Sequence, residues 1–253
     1  MLEEAILSLE NVTVSFDGFK AVDDLSFSVP KGTVRVVIGP NGAGKSTMCD
    51  AIIGKVRPAS GRVLFNGKEI NNLSEHAIAR LGICRKFQTP GVLENLTVLE
   101  NLAVAVRKQK AWWNNLRPDL RNEEVARVTE LLELIGLTQK QDMPAAQLAH
   151  GEKQWLEIGM VVAADPELLL LDEPTAGMTS LETSKTAEII QKLAGKHTIV
   201  VIDHDMSFVE QLGASVSVLH QGKLFKEGSI LEVRNDPGVI EIYLGRAKEN
   251  ASS

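Results

Sequence analysis

No stretch of this chain leaves fewer structural options than Val34–Thr47, which reads VRVVIGPNGAGKST. Its apolar opening, Val36-Val37-Ile38, suits a strand buried on both faces. Gly39, Pro40, Asn41, Gly42, Ala43, Gly44, Lys45 and Ser46 follow, in the phosphate-binding spacing G-x-x-x-x-G-K-[ST], and Thr47 comes next. Backbone N–H groups must curl around a polyanion there, and glycine permits so tight a turn without a Cβ clash. Lys45 supplies a mobile positive charge for the outer phosphates, and the Ser46 hydroxyl is placed to ligate Mg²⁺. A helix predicted over Ser46–Ile53 aims its N-terminal dipole at the same anion. The segment reads as a nucleotide site.

Composition fits a globular body around that site. With 253 residues, 44% hydrophobic and 24% charged, the chain can bury a sizeable core as one large domain or a domain with a subdomain. A net charge of -6 gives no basic field, which argues against nucleic acid as a partner. The two cysteines, Cys49 and Cys84, lack metal-ligand spacing and read as buried thiols. No apolar run approaches the ~18 residues of a membrane span. The acidic start Met1-Leu2-Glu3-Glu4 lacks the cationic region of a secretory signal, so a cytoplasmic location is expected.

Period-2 alternation predicts strands over Ile6–Val14 and Leu25–Val29, with Phe16–Phe19 as a turn carrying two aromatics. Either ring is suited to stack on a purine or to anchor the hairpin. Arg62–Phe65 reads as a strand before an Asn66-Gly67 hairpin turn, and Leu73–Arg80 as a short helix with Ser74 as its cap. Gly82–Gln88 reads as a strand. Thr97 and Glu100 form a capping box that starts a helix through Val106, residues 107–122 form an irregular insert, and Val125–Ile135 is a helix that Gly136 stops.

The second half supplies acids and a histidine at strand ends. Leu168–Leu171 is a buried strand ending in Asp172-Glu173-Pro174, where an α/β sheet places ligand chemistry. One acid can hold Mg²⁺ through water, and its neighbour can orient or deprotonate the attacking water. Strand Thr198–Ile202 leads into Asp203-His204-Asp205. Of the five histidines, His204 is expected at the site, and His76, His197 and His220 at the surface.

Taken in order over essentially the whole chain, these motifs resemble the nucleotide-binding subunit of an ATP-binding-cassette (ABC) transporter. The resemblance implies an α/β P-loop cassette, a single domain over 1–253. It has a RecA-like core at about 1–89 and 164–253, an antiparallel β subdomain, and a helical signature subdomain at about 90–163. It assigns Phe16 to the adenine, Gly39–Thr47 to the phosphates, and Ser46, Gln88 and Asp172 to Mg²⁺. Glu173 becomes the catalytic glutamate, assisted by Lys45, Gln88 and the switch histidine His204. Leu148, Ala149, His150, Gly151 and Glu152 stand where the family carries its signature Leu-Ser-Gly-Gly-Gln, which completes the partner's ATP site.

Finer similarity lies in Val14–Ala21, Gly82–Gln88 with Glu94–Val98, Gln154–Met160, Ala176–Thr179 and the tail Val239–Arg246. These resemble the ATPase subunits of the branched-chain amino acid and urea importer group. The run Lys153–Met160 is similar to the urea-importer members, so urea is the expected cargo, with branched-chain amino acids as the alternative and a non-transport ABC ATPase behind both. The resemblance implies ATP and Mg²⁺ as cofactors and a location on the cytoplasmic face of the membrane, held peripherally. It implies a second ATPase chain as partner, in a heterodimer or, for the isolated chain, a homodimer. Two permease subunits and, indirectly, an extracytoplasmic solute-binding protein complete the set. The sequence departs from the family at Ala149, in place of serine, at His150 and Glu152, and at Thr179, where many cassettes carry aspartate.

Overall fold

A computed structural model describes residues 5–86, 91–107 and 121–250; Gln88 and the Trp112-Trp113 pair lie outside that range. The chain opens with β1 (Ala5–Phe16), β2 (Phe19–Pro30) and β3 (Val34–Ile38), then α1 (Lys45–Ile52), β4 (Ser60–Phe65), β5 (Lys68–Glu69), α2 (Glu75–Arg80) and β6 (Ile83–Lys86). Helices α3 (Val98–Arg107), α4 (Asn122–Ile135) and α5 (His150–Val162) follow. The last part runs β7 (Leu168–Asp172), α6 (Ser180–Leu193), β8 (Thr198–Ile202), α7 (Met206–Leu212), β9 (Ser215–His220), β10 (Lys223–Gly228), α8 (Ile230–Arg234) and α9 (Pro237–Asn250).

The continuous apolar runs lie side by side in a six-stranded sheet ordered β10-β9-β3-β8-β7-β6. All neighbours are parallel except the β9–β10 hairpin. These runs are unbroken because the sheet is covered on both faces. Leu169, Leu171, Ile199 and Val201 pack with helices α3–α6, while Leu168, Leu170, Val200 and Ile202 pack with α1 and the second sheet. That second sheet is antiparallel, ordered β2-β1-β4-β5.

Turn chemistry agrees closely with the sequence. Asn66 (φ 48°) and Gly67 (φ 71°) close β4 onto β5 in the left-handed region that this hairpin turn requires. The Thr97 N–H donates to Glu100 Oε2 at 2.8 Å and the Glu100 N–H to Thr97 Oγ1 at 3.1 Å, closing the expected box. Ser74 caps α2 by accepting from the Ala77 N–H. Strand β2 begins at Phe19, well before the expected Leu25, because β1 offers it a pairing partner along that whole length. Gly159 sits where α3, α4 and α5 converge; a Cβ there would meet Ile135 and Leu102 carbons at 3.2 Å.

Two expectations need correction. His197 is buried, 2% exposed, because its ring, on the α6–β8 connection, meets the α5–β7 connection, where Nδ1 donates to the Pro166 carbonyl at 2.6 Å. His220 is half-buried, edge-on to Phe225, and His76 is exposed. Cys49 is fully enclosed, and burial pushes its thiol up to about 12; Cys84 is half-buried and its thiol is raised for the same reason. Neither is a nucleophile at neutral pH.

Lys86, 1% exposed, pairs with Glu157 of α5 at 3.2 Å, and the Gly91 N–H donates to the same carboxylate at 3.1 Å. The pair ties an edge strand to the helical layer. Lys86→Met leaves a buried charge without its counter-ion and should destabilise the fold by about 3–5 kcal/mol. Adding Glu157→Gln should recover most of that loss, because the amide oxygen still accepts from Gly91. Urea unfolding of the single and double variants measures both.

Candidate nucleotide site

The parallel strands deliver the motifs to one edge of the sheet. The loop leaves β3 at Gly39, where a Cβ would run into the Leu219 carbonyl, and enters α1 at Gly44, where a Cβ would run into the Ala21 carbonyl. Glycine is required at both points because neighbouring backbone fills the space. The Lys45 ammonium lies across the loop and donates to the carbonyls of Gly39 (2.6 Å) and Pro40 (3.1 Å). Asn41–Thr47 line a cavity of about 190 Å³ together with Asp172, Glu173 and Ile202.

Glu173 is the first residue past β7, and its backbone lies in the left-handed region at φ 46°. For a non-glycine residue that conformation costs about 1–3 kcal/mol and persists only where surrounding structure enforces it. Here the Glu173 N–H donates to the Ile202 carbonyl at 2.8 Å, pinning the turn to β8. His204 Nδ1 lies 3.8 Å from Glu173 Oε1, and both side chains reach solvent. The Asp172 carboxylate is 4% exposed and ion-paired with Arg85 at 2.6 Å.

Phe16 stands apart from that cavity, on the β1–β2 turn, 46% exposed with Phe19 beside it at 68%. The same hairpin reaches the loop through Ala21, which borders Gly44, and through Asp23, whose N–H donates to Gly222. Both aromatics are therefore available to a flat ring held near the loop. The side chains at the cavity that suit a hard cation are oxygen donors, among them the Ser46 hydroxyl and the Asp172 carboxylate. Among the described residues no cluster of three or more His, Cys, Asp or Glu forms a cage for a metal. That poverty of protein ligands fits Mg²⁺, which keeps several waters and takes phosphate oxygens as partners.

The ABC transporter family model matches residues 22–176. The chain is 34% identical to the high-affinity branched-chain amino acid transport ATP-binding protein LivG of Escherichia coli K12, over 97% of this chain and 100% of that one. BraF of Pseudomonas aeruginosa, named for the same transport, is 34% identical with the same coverage. A solved nucleotide-free ATP-binding cassette from an ABC transporter superposes with a TM-score of 0.82 at 34% identity, covering 94% of this chain and 98% of that one. An ADP-bound cassette gives 0.83 at 33% identity, covering 95% and 99%. The chain belongs to the ABC transporter family.

It is an ATPase cassette of that family, binding ATP or ADP and coupling hydrolysis to transport. No helix among the described residues is long and apolar enough to cross a membrane. LivG and BraF carry branched-chain amino acids in their names, which favours the alternative cargo over urea.

Leu148–Glu152, the segment expected to complete a partner's ATP site, does not line the cavity described above. Ala149 and His150 are exposed at the start of α5, with the Ala149 N–H donating to Glu152 Oε2 at 3.1 Å and His150 Nε2 3.0 Å from the Ala176 carbonyl. Thr179 caps α6, accepting from the Glu182 N–H at 3.4 Å while its own N–H donates to Glu182 Oε2 at 2.8 Å. Threonine and aspartate are both good N-caps, so the local fold tolerates this departure.

Sequence reasoning passes over Asp203. It is 2% exposed and accepts from the His204 N–H (2.7 Å), the Asp205 N–H (3.0 Å) and the Thr175 hydroxyl (2.7 Å). One buried carboxylate thus fixes the His204 backbone and ties it to the loop after Glu173. The only signal is an acid flanking the histidine, which reads equally well as solvated. Asp203→Asn puts an N–H₂ group against one of these donors. Turnover should fall about tenfold or more, or ~1.4 kcal/mol in the barrier, while ATP affinity stays within about threefold because no phosphate contact is lost. Steady-state hydrolysis and equilibrium nucleotide binding separate the two quantities.

Proposed function

We propose that this chain is the ATP-hydrolysing subunit of an importer for branched-chain amino acids, held peripherally at the cytoplasmic face of the membrane by two permeases. The observation that carries this reading is the full-length similarity to LivG and BraF, at 34% identity over 97% of the chain. In the proposed cycle Lys45 stabilises charge on the transferred phosphoryl group; Ser46, Asp172 and Gln88 would hold Mg²⁺, which would supply further positive charge there. Glu173 orients the attacking water, His204 assists, and Phe16 carries the adenine. We assign the core to about 1–89 and 164–253 and the helical subdomain to about 90–163. Urea is the second reading, favoured by the run Lys153–Met160.

The partner ATPase chain is proposed to be a different polypeptide, arranged head to tail so that Ala149, His150, Gly151 and Glu152 face the partner's ATP. An alanine at 149 withholds one hydroxyl from that site, while the α5 N-terminus still presents backbone N–H groups. For the permease we propose an apolar groove of about 440 Å³ between α2, β6 and α5, lined by Ile53, Ile78, Ala79, Ile83 and Val161.

The test uses the assembled transporter in proteoliposomes with its solute-binding protein. Leucine, isoleucine or valine should stimulate hydrolysis and accumulate inside; stimulation by urea alone would replace this cargo with the second reading. In the same complex Glu173→Gln should remove most turnover. Ala149→Ser should raise turnover at the partner-based site by about 10-fold or more, the worth of one charged hydrogen bond realised in the transition state. Equal losses from the two chains' glutamate variants, with no gain from Ala149→Ser, would show that Ala149 does not weaken the partner-based site.

A further inference from the structure

Strand β6 carries a cation whose place no nucleotide motif explains. Arg85 is 8% exposed at its side chain, and its guanidinium is shared between two carboxylates on different elements. Nη2 lies 2.6 Å from Asp172 Oδ2 at the end of β7, and Nη1 is bonded to Asp50 Oδ1 on α1, the helix that begins at Lys45. Asp50 also pairs with Lys55 at 3.4 Å. The fork therefore links the phosphate-loop helix to the acidic end of β7 beneath the cavity that Asp172 lines. A planar guanidinium spans two carboxylates with fixed directions, which a lysine ammonium, a point charge on a flexible stem, cannot reproduce.

We infer that Arg85 is a positioning residue for the metal of the nucleotide site, holding Oδ2 of Asp172 and so setting which way that carboxylate faces the cavity. The inference rests on the proposal that Asp172 serves Mg²⁺. A carboxylate with one oxygen fixed meets the water shell of a cation in one orientation; released, it rotates and shares its neighbourhood with a second acid, Asp50. Partners that orient a metal ligand from behind are worth about 10- to 100-fold in metal affinity. A purely structural ion pair would act differently, lowering thermal stability without singling out the metal.

The test measures Mg²⁺ dependence of equilibrium binding of a fluorescent ATP analogue to the full chain, alongside binding in EDTA and the melting temperature. Arg85→Lys keeps the charge and loses the fork. The double variant Arg85→Met/Asp50→Asn removes a cation and an anion together and guards against misfolding from unbalanced buried charge. In both, the Mg²⁺ concentration for half-maximal effect should rise about 10-fold or more, with binding in EDTA changed less than about twofold because phosphate contacts are intact. Variants that melt with the wild type and keep its Mg²⁺ midpoint would overturn the role of Arg85. A wild-type protein whose nucleotide binding ignores Mg²⁺ would instead overturn the magnesium reading, and this inference with it.

Discussion

The register of three parallel strands is the constraint on which the rest of the molecule depends. Ile202 of β8 stands opposite both Val37 of β3 and Asp172 of β7, so the three strands end within a residue or two of one another. The segments that leave these strands therefore meet at one edge: the phosphate loop, Glu173, and the turn of Asp203 and His204. A slip of one residue in β7 would turn Asp172 to the opposite face of the sheet. The bond from the Glu173 N–H to the Ile202 carbonyl extends that register one residue past the strand and holds the glutamate in its left-handed turn.

Edge strand β6 fastens this arrangement to the layers on either side. Successive residues of a strand point to opposite faces, and β6 ends in two successive cations. Arg85 faces α1 and reaches Asp50 and Asp172; Lys86 faces α5 and reaches Glu157. Each buried charge has its counter-ion on a different element, so the pairs define relative positions more than they add stability. The same strand also forms one wall of the apolar groove proposed for the permease, so that groove, the helical layer and the nucleotide pocket surround one short element.

Local chemistry makes part of this legible in the sequence. Glycines at 39, 42 and 44, the acid pair after four leucines, the capping box at Thr97 and the Asn66-Gly67 turn each carry their reason within a few residues. The long-range contacts carry no such signal. Arg85 and Asp50 are 35 positions apart, Arg85 and Asp172 are 87 apart, and Thr175 and Asp203 are 28 apart. In each case a charged or polar residue in an amphipathic context reads as solvated until its partner is known. His197 reads as a surface residue for the same reason, since only folding brings the Pro166 carbonyl to its ring.

By itself the sequence determined the chemistry of the phosphate loop, the identity of the strands buried on both faces, and membership of a nucleotide-binding α/β class. Those properties arise from backbone sterics and apolar periodicity, which act over a few residues. Tertiary structure alone decided which carboxylate each buried cation meets, that Asp203 holds the His204 turn, and that Ala149 and His150 are exposed away from the cavity that Asp172 and Glu173 line. Such pairings depend on strand order and on which face of the sheet a side chain takes, and neither exists until the sheet has formed.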